Sequence, residues 1–289
     1  MVRFSLACYV PKSIVHGRLV LVQNCFWQGL SLEGQKSKLM AYKHGDPVIN
    51  LTLPFRLASA LAFYFLFPIT MLVNYIMHCT SYKHRERMNE HRKVITVSNH
   101  TTFLDPVKIT GLVFPRLIYQ TLLEATVVFP VLGTYIRLLG GVPIPRSRDG
   151  YRKILEICER SFKYRRYLHF YPEGECYLYN QQIMEFKSGA FRLAAELDIP
   201  VVPLVTVFSV GLFKPGSFLG RFPRETLVVL EPEHPAKYIR RDENGEISSE
   251  SIKEFAEAVR QKMQKEIDQL GGSNAFYRGK MERIKGLND

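Results

Sequence analysis

At 289 residues the chain exceeds the usual single-domain size without being long enough to force two hydrophobic cores, so one domain with an attached segment is expected. Its 39 lysines and arginines against 27 aspartates and glutamates leave a formal charge of +12, which favours an anionic partner: nucleic acid, phospholipid or a phosphorylated metabolite. The five cysteines are odd in number and show no C-x-x-C, which excludes a disulfide framework and fits a reducing, cytoplasmic setting.

Residues 1–52 read as an N-terminal extension. Leu19 to Leu32 is free of charge but too short to span a bilayer, and Arg3 precedes only a brief apolar run, so no cleaved signal peptide is expected. From Leu57 to Tyr82, 26 residues carry no Asp, Glu, Lys or Arg. Pro68 sits near the middle of that run, removes a helical hydrogen bond and predicts a break. Leu57 to Phe67 as a helix would then be roughly 16 Å long, about half the hydrocarbon thickness, and neither half would span alone. Basic residues mark the cytoplasmic side of a membrane, and here Lys36, Lys38, Lys43 and Arg56 precede the run while Lys83, Arg85, Arg87, Arg92 and Lys93 follow it. Residues 53–82 are therefore expected to form a helical hairpin in one leaflet, or two amphipathic helices in the interface. A buried hairpin in a soluble core is the alternative.

Residues 83–289 alternate short β-branched or aromatic runs with helical patterns, which predicts an α/β domain with a central mixed sheet flanked by helices. The predicted strands are Val94 to Val97, Leu117 to Gln120, Val142 to Ile144, Tyr167 to Tyr171, Val201 to Phe208 and Thr226 to Leu230. The predicted helices are Val128 to Leu139, Gly150 to Phe162 and Ser188 to Leu197. Near the end, Ser251 and Glu254 have capping-box spacing, and Ile252, Phe255, Val259, Met263, Ile267 and Leu270 form an amphipathic stripe. Arg278, Lys280, Arg283 and Lys285 read as a solvated tail.

The chemistry concentrates after the first predicted strand, in Ser98-Asn99-His100-Thr101-Thr102-Phe103-Leu104-Asp105-Pro106. Five residues along a regular helix rotate by about 140°, so His100 and Asp105 meet only if the histidine lies in the turn that ends the strand. Ser98, Asn99, Thr101 and Thr102 suit such a turn. The aspartate would then fix one imidazole nitrogen and leave the other free to take a proton. A capped turn with a satisfied histidine is the plainer alternative. The sequence contains no Gly-x-Ser-x-Gly elbow, so the hydroxyl to be activated belongs to a substrate. Downstream, Gly140 to Arg146, Phe170 to Glu175, Phe186 to Ala190 and Ile199 to Leu204 each place a polar group at a strand end or turn, where α/β sheets bind ligands.

In order and spacing these stretches resemble the glycerolipid acyltransferases typified by lysophosphatidic acid acyltransferase. His100 and Asp105 match the H-x-x-x-x-D motif; Gly140 to Arg146 is similar to the second motif; Tyr171-Pro172-Glu173-Gly174 matches F-P-E-G; Ile199 to Leu204 matches the proline-rich fourth motif. The resemblance covers roughly Val94 to Leu230. It implies acyl transfer from acyl-CoA or acyl carrier protein, as co-substrate, to the hydroxyl of a lysophospholipid, 1-acylglycerol-3-phosphate foremost. It also implies His100 as general base, Asp105 as its support, Arg146 on the acceptor phosphate, and Glu173 and Gly174 shaping the acceptor pocket. No cofactor or metal is expected. The basic stretch Lys83 to Lys93 lacks the aromatic spacing of a nucleic-acid platform and, beside the apolar run, points to an anionic membrane surface at the cytoplasmic face.

This sequence departs from the family in three places. Glu175, Cys176 and Tyr177 stand where threonine, arginine and serine commonly follow the third motif; Gln120 to Leu122 lacks the lysine often found there; Pro145 precedes Arg146 in place of aspartate. Acyl transfer or transacylation to another acceptor, a lysolipid with a zwitterionic head group or an aminolipid, is therefore a second expectation, and an inactive membrane-binding module a third. Acyl-chain length and oligomeric state are not expressed in these motifs.

Overall fold

A computed structural model of the chain describes residues 48–128, 131–144, 155, 158, 162, 164–211, 220 and 222–282. Most of the N-terminal extension and most of the predicted helix Gly150 to Phe162 lie outside these residues, as does Arg146.

The apolar run is one helix, α1, Leu53–His78, not a hairpin: it continues straight through Pro68. Proline leaves the carbonyl one turn before it without its helical partner. Just after it, Thr70 Oγ1 donates to the Phe67 carbonyl at 2.8 Å. The helix persists because its buried residues, Ser59, Ala62, Phe63, Phe67, Asn74 and His78, fall on one face only if the helical phase carries across Pro68. Phe63 stacks on Phe67 and on Phe114, with ring centroids 5.3 and 5.6 Å apart. At the two ends of this stripe Ser59 donates to the Leu138 carbonyl, and His78 Nδ1 lies 3.1 Å from the Pro223 carbonyl. α1 ends at Cys79, whose left-handed backbone closes the last turn onto Tyr75.

Next come β1 (Ser81–Lys83), β2 (Val94–Ser98), α2 (Asp105–Val113), β3 (Ile118–Leu123), α3 (Glu124–Val128), α4 (Leu132–Leu138), β4 (Gly141–Ile144) and β5 (Tyr167–Phe170). The chain continues through α5 (Gly189–Leu197), β6 (Val201–Ser209), β7 (Arg224–Val229) and α6 (Ser249–Gln269). The single helix expected over Val128 to Leu139 is thus two, separated around Val131, whose φ is 61°. β1 and α2 were not anticipated. The cap of α6 lies at Ser248 rather than Ser251: the Ser251 N–H donates to Ser248 Oγ. Of the predicted stripe on α6, the side chains from Ile252 to Ile267 are buried and Leu270 is exposed.

The seven strands form one sheet in the order β1-β7-β6-β2-β5-β3-β4, parallel throughout except for the antiparallel pair β6–β7. Alternation sorts β2 between two cores. Ile95 and Val97 join α5 and α6 through Phe191, Phe255 and Val259, whereas Val94 joins Ile109 and Leu112 of α2. β2 lies where the strand order reverses direction, with β5 on one side and β6 on the other. Ligands of open α/β sheets sit at the carboxyl ends of strands at such a point. Because β2 and β5 run parallel with Val97 beside Phe170, the segments that follow them emerge side by side.

Candidate active site

His100 stands in the turn between β2 and α2, and Asp105 opens α2. The turn reverses the five-residue step that a helix would have splayed. His100 Nδ1 lies 2.8 Å from Asp105 Oδ2. The same carboxylate is the hub of the turn: Oδ2 accepts from the backbone N–H of Thr101 at 2.6 Å and of Thr102 at 3.1 Å, while Oδ1 accepts from Thr102 Oγ1 at 2.6 Å and Thr101 Oγ1 at 3.3 Å. Lys108, one helical turn on, brings its ammonium to 2.6 Å from Oδ1. Burial pushes the Asp105 carboxyl upward, but the Lys108 charge and the His100 contact more than offset it and hold the group well below the usual carboxylate range. An ionised Asp105 makes His100 Nδ1 the donor, so Nε2 carries the lone pair. Asp105 is wholly buried, whereas the His100 side chain is 21% exposed. The imidazole is thus anchored through Nδ1 and stays partly exposed.

The turn after β5 fixes the histidine from its other side. Glu173 Oε1 accepts the His100 backbone N–H at 2.9 Å and Oε2 accepts that of Met184 at 3.1 Å. Glu173 therefore ties two loops together at the mouth of the site. Burial pushes its carboxyl up to about 7 against the pull of those two donors. Gly174 has φ +72°, and a side chain there would run into the end of Lys187, from the Phe186 to Ala190 stretch. The Tyr171 ring stacks on the His100 imidazole, centroids 4.1 Å apart, and its hydroxyl donates to Gln120 Oε1 at 3.3 Å. His169 is locked in the core by Thr96 Oγ1 at 2.8 Å and Ser98 Oγ at 3.2 Å, and burial pushes its imidazole down to about 3. It is a neutral packing residue beneath the site.

The segment 175–180 lies along the turn, with Tyr177 and Tyr179 donating their backbone N–H to the carbonyls of His100 and Thr101. Outside it the C-terminal chain adds a further rung: Arg278 N–H donates to the Leu178 carbonyl, Leu178 N–H to that of Gly279, and Met281 N–H to that of Cys176. The tail expected to be solvated is in this part packed beside the site, and Lys280 pairs with Glu175 at 3.2 Å. The acid that stands where the family carries a base is thus compensated from the end of the chain. Cys176 is buried, and burial pushes its thiol well above the ordinary range, which leaves it a packing residue.

The structure brings together His100, Asp105, Glu173 and Gly174 as the motifs imply; Arg146 lies outside the described residues, just beyond β4. Two residues escaped the sequence reading. Lys108 is the one cation of the helix DPVKITGLV, three residues from Asp105, a spacing that signals an ion pair. Tyr171, which occupies the phenylalanine position of F-P-E-G, is the second. Among the described residues no three His, Cys, Asp or Glu side chains converge as a metal site.

Residues 79–207 match the family model for acyltransferases. The chain is 29% identical over 188 residues to a 1-acyl-sn-glycerol-3-phosphate acyltransferase of Saccharomyces cerevisiae, covering 63% of this chain and 58% of the yeast protein. It is 31% identical over 122 residues to the human 1-acyl-sn-glycerol-3-phosphate acyltransferase beta, covering 41% of this chain and 43% of that protein. The aligned region thus spans less than two thirds of either relative. The crystal structure of the 1-acyl-sn-glycerophosphate (LPA) acyltransferase PlsC from Thermotoga maritima superposes with a TM-score of 0.50 at 19% identity, over 76% of this chain and 79% of that one, a likeness of fold.

Proposed function

We propose that this chain, a member of the acyltransferase family through residues 79–207, moves a fatty acyl group from an acyl thioester to the hydroxyl of a lysophospholipid, with 1-acylglycerol-3-phosphate as the leading acceptor. The observation that carries this reading is the His100–Asp105 pair, held at 2.8 Å with Nδ1 committed to the carboxylate and the imidazole partly exposed. In the proposed step Nε2 takes the acceptor hydroxyl proton as the oxygen attacks the thioester carbonyl. The tetrahedral intermediate then expels the thiolate, which recovers that proton from the imidazolium, so the products are the ester and the free thiol. Asp105 stabilises the imidazolium in between. The thioester is a co-substrate, acyl-CoA or acyl carrier protein, and the step draws on no cofactor.

For the acceptor, Arg146 offers a planar fork for the phosphate, and Gly174 permits close approach of the backbone. Glu173 serves the pocket by fixing the loop that bears His100. The Glu175–Lys280 pair supports a phosphate acceptor, because the carboxylate at the departure from the family is neutralised. A zwitterionic head group is the second reading, carried by that same carboxylate.

We read the protein as membrane-associated, at the cytoplasmic face. α1 is about 39 Å long and presents Leu57, Leu61, Phe65, Ile69, Leu72 and Ile76 to the outside, an apolar surface too continuous for a monomer in water. Its inner face rests on the domain over a stretch of about 29 Å from Ser59 to His78. Such a helix lies in one leaflet with the domain beneath it. Its basic neighbours from Lys83 to Lys93 face the anionic surface.

A panel of lysolipid acceptors run with acyl-CoA and with acyl carrier protein as donors tests the assignment. Turnover highest on 1-acylglycerol-3-phosphate is expected; a preference for lysophosphatidylcholine would establish the second reading, and inactivity with every pair would point to a membrane-binding module.

A further inference from the structure

The buried polar chain that begins at His100 does not stop at Asp105. Lys108 Nζ, wholly buried, also lies 3.3 Å from Glu225 Oε2 on β7. The other oxygen of Glu225 accepts from Thr80 Oγ1 at 2.6 Å and from Asn74 Nδ2 at 3.2 Å. Asn74 belongs to α1, and its amide donates to Thr80 Oγ1 as well, at 2.8 Å. An unbroken series of contacts, none longer than 3.3 Å, thus joins the apolar helix to the imidazole: Asn74, Glu225, Lys108, Asp105, His100.

A lysine buried between two carboxylates is an expensive arrangement, since well-packed apolar side chains of the same volume would hold the core as firmly. What the ion triad adds is charge at a fixed distance from His100. We propose that Lys108 and Glu225 are positioning residues that set how much negative charge Asp105 presents to His100, and that seating α1 through Asn74 and Thr80 completes the setting. The proposal rests on the reading of His100 as the base.

The coupling is electrostatic. While Glu225 is anionic it draws on the Lys108 ammonium, and Asp105 keeps more of its charge for the imidazole. The donors from Asn74 and Thr80 hold its carboxylate in place against Lys108. With a neutral side chain at position 225, or one no longer held against Lys108, the ammonium acts on Asp105 alone and His100 becomes a weaker base. The surrounding groups leave this balance to the triad. Tyr82, whose hydroxyl donates to the Lys108 carbonyl, and Tyr179 are both held protonated by burial and by Glu225. Phe208 presents its ring 5.8 Å from the ammonium. Tyr171, stacked on His100, stays neutral through burial, as do Cys176 near Asp105 and His169 beneath the site. Glu173 titrates near neutrality but is common to every variant below.

Opposite substitutions give opposite signs, which a merely structural role cannot do. Glu225→Gln, and less strongly Asn74→Leu, should move the acid limb of the turnover–pH profile to lower pH. Lys108→Met should move it to higher pH. Each of the stronger shifts is expected to reach roughly half a pH unit, about a threefold change in proton affinity. The measurement uses the full chain on phosphatidylcholine–phosphatidylglycerol vesicles, with unfolding midpoints as the control for folding. In parallel, the low-field Nδ1–H proton resonance of His100 in detergent micelles should move in opposite directions in Glu225→Gln and Lys108→Met. That resonance reads the relay whatever acceptor the enzyme uses, so a wrong acceptor and a wrong relay give different results. Shifts of the same sign, or a wild-type limb and resonance in folded Glu225→Gln, would overturn the proposal even if Lys108→Met does not fold. A wild-type profile in Asn74→Leu would remove α1 from it.

Discussion

The histidine turn and the apolar helix obey their local sequence to opposite degrees. At the turn, four small polar residues and a buried aspartate specify a conformation whose partners lie within five residues, and the structure adopts it. In α1, a mid-run proline signals a break, and the structure ignores it because six side chains from Ser59 to His78 must share one face. Short-range hydrogen bonding decides the first; packing over some 29 Å decides the second. Local signals are therefore trustworthy where the groups they must satisfy are also local.

Substitutions can sharpen or break that contrast. The largest effect belongs to the turn: Asp105→Asn removes the charge that orients His100 and should lower kcat by about 10²–10⁴-fold with lysophospholipid binding retained. A fall in affinity at constant kcat would make Asp105 a binding residue instead. In α1 the two faces should part company. Phe63→Ala, stacked between Phe67 and Phe114, is expected to cost about 3–5 kcal/mol in chemical denaturation. Phe65→Ser, on the outer face, should leave unfolding unchanged and weaken vesicle binding about tenfold, as burial of one large apolar side chain predicts. Equal effects on stability from both would mean that the outer face is covered by protein rather than lipid.

The last effect is a slope. Glu173 has its carboxyl raised to about 7, so its neutral form is the one the fold prefers. Its stabilising contribution is full below about 4.5, its ordinary value, and is lost as pH rises through about 7. The unfolding free energy of wild type relative to Glu173→Gln should therefore decline across that window, as read by urea denaturation at its two ends. A difference independent of pH would show that the two backbone donors keep Glu173 ionised throughout.

Much of this architecture is legible in the residues. β2, β5 and β6 announce themselves as apolar runs because they are buried on both faces of the sheet. The amphipathic period of α6 survives because one side meets Phe191 and the other meets water. β1 escapes because it is three residues long, sits in a basic stretch and takes its pairing from β7, far along the chain. The triad of Asp105, Lys108 and Glu225 escapes for the same reason: 117 residues separate Lys108 from Glu225, and no local pattern records their meeting. Lys280 looks like part of a charged tail until Glu175 is found beside it. At the site, His100 and Asp105 are legible from their turn, Glu173 and Gly174 from the family resemblance, and Lys108 from its three-residue step to Asp105, while Tyr171 emerges only when the strands align.

The central claim is that His100 is the base for a substrate hydroxyl, and single-turnover acyl transfer by His100→Ala tests it most directly. With saturating acyl-CoA and 1-acylglycerol-3-phosphate, the account predicts a rate about 10²–10⁴-fold below wild type, with acyl-CoA still bound. A variant that folds and transfers the acyl group at the wild-type rate would contradict it.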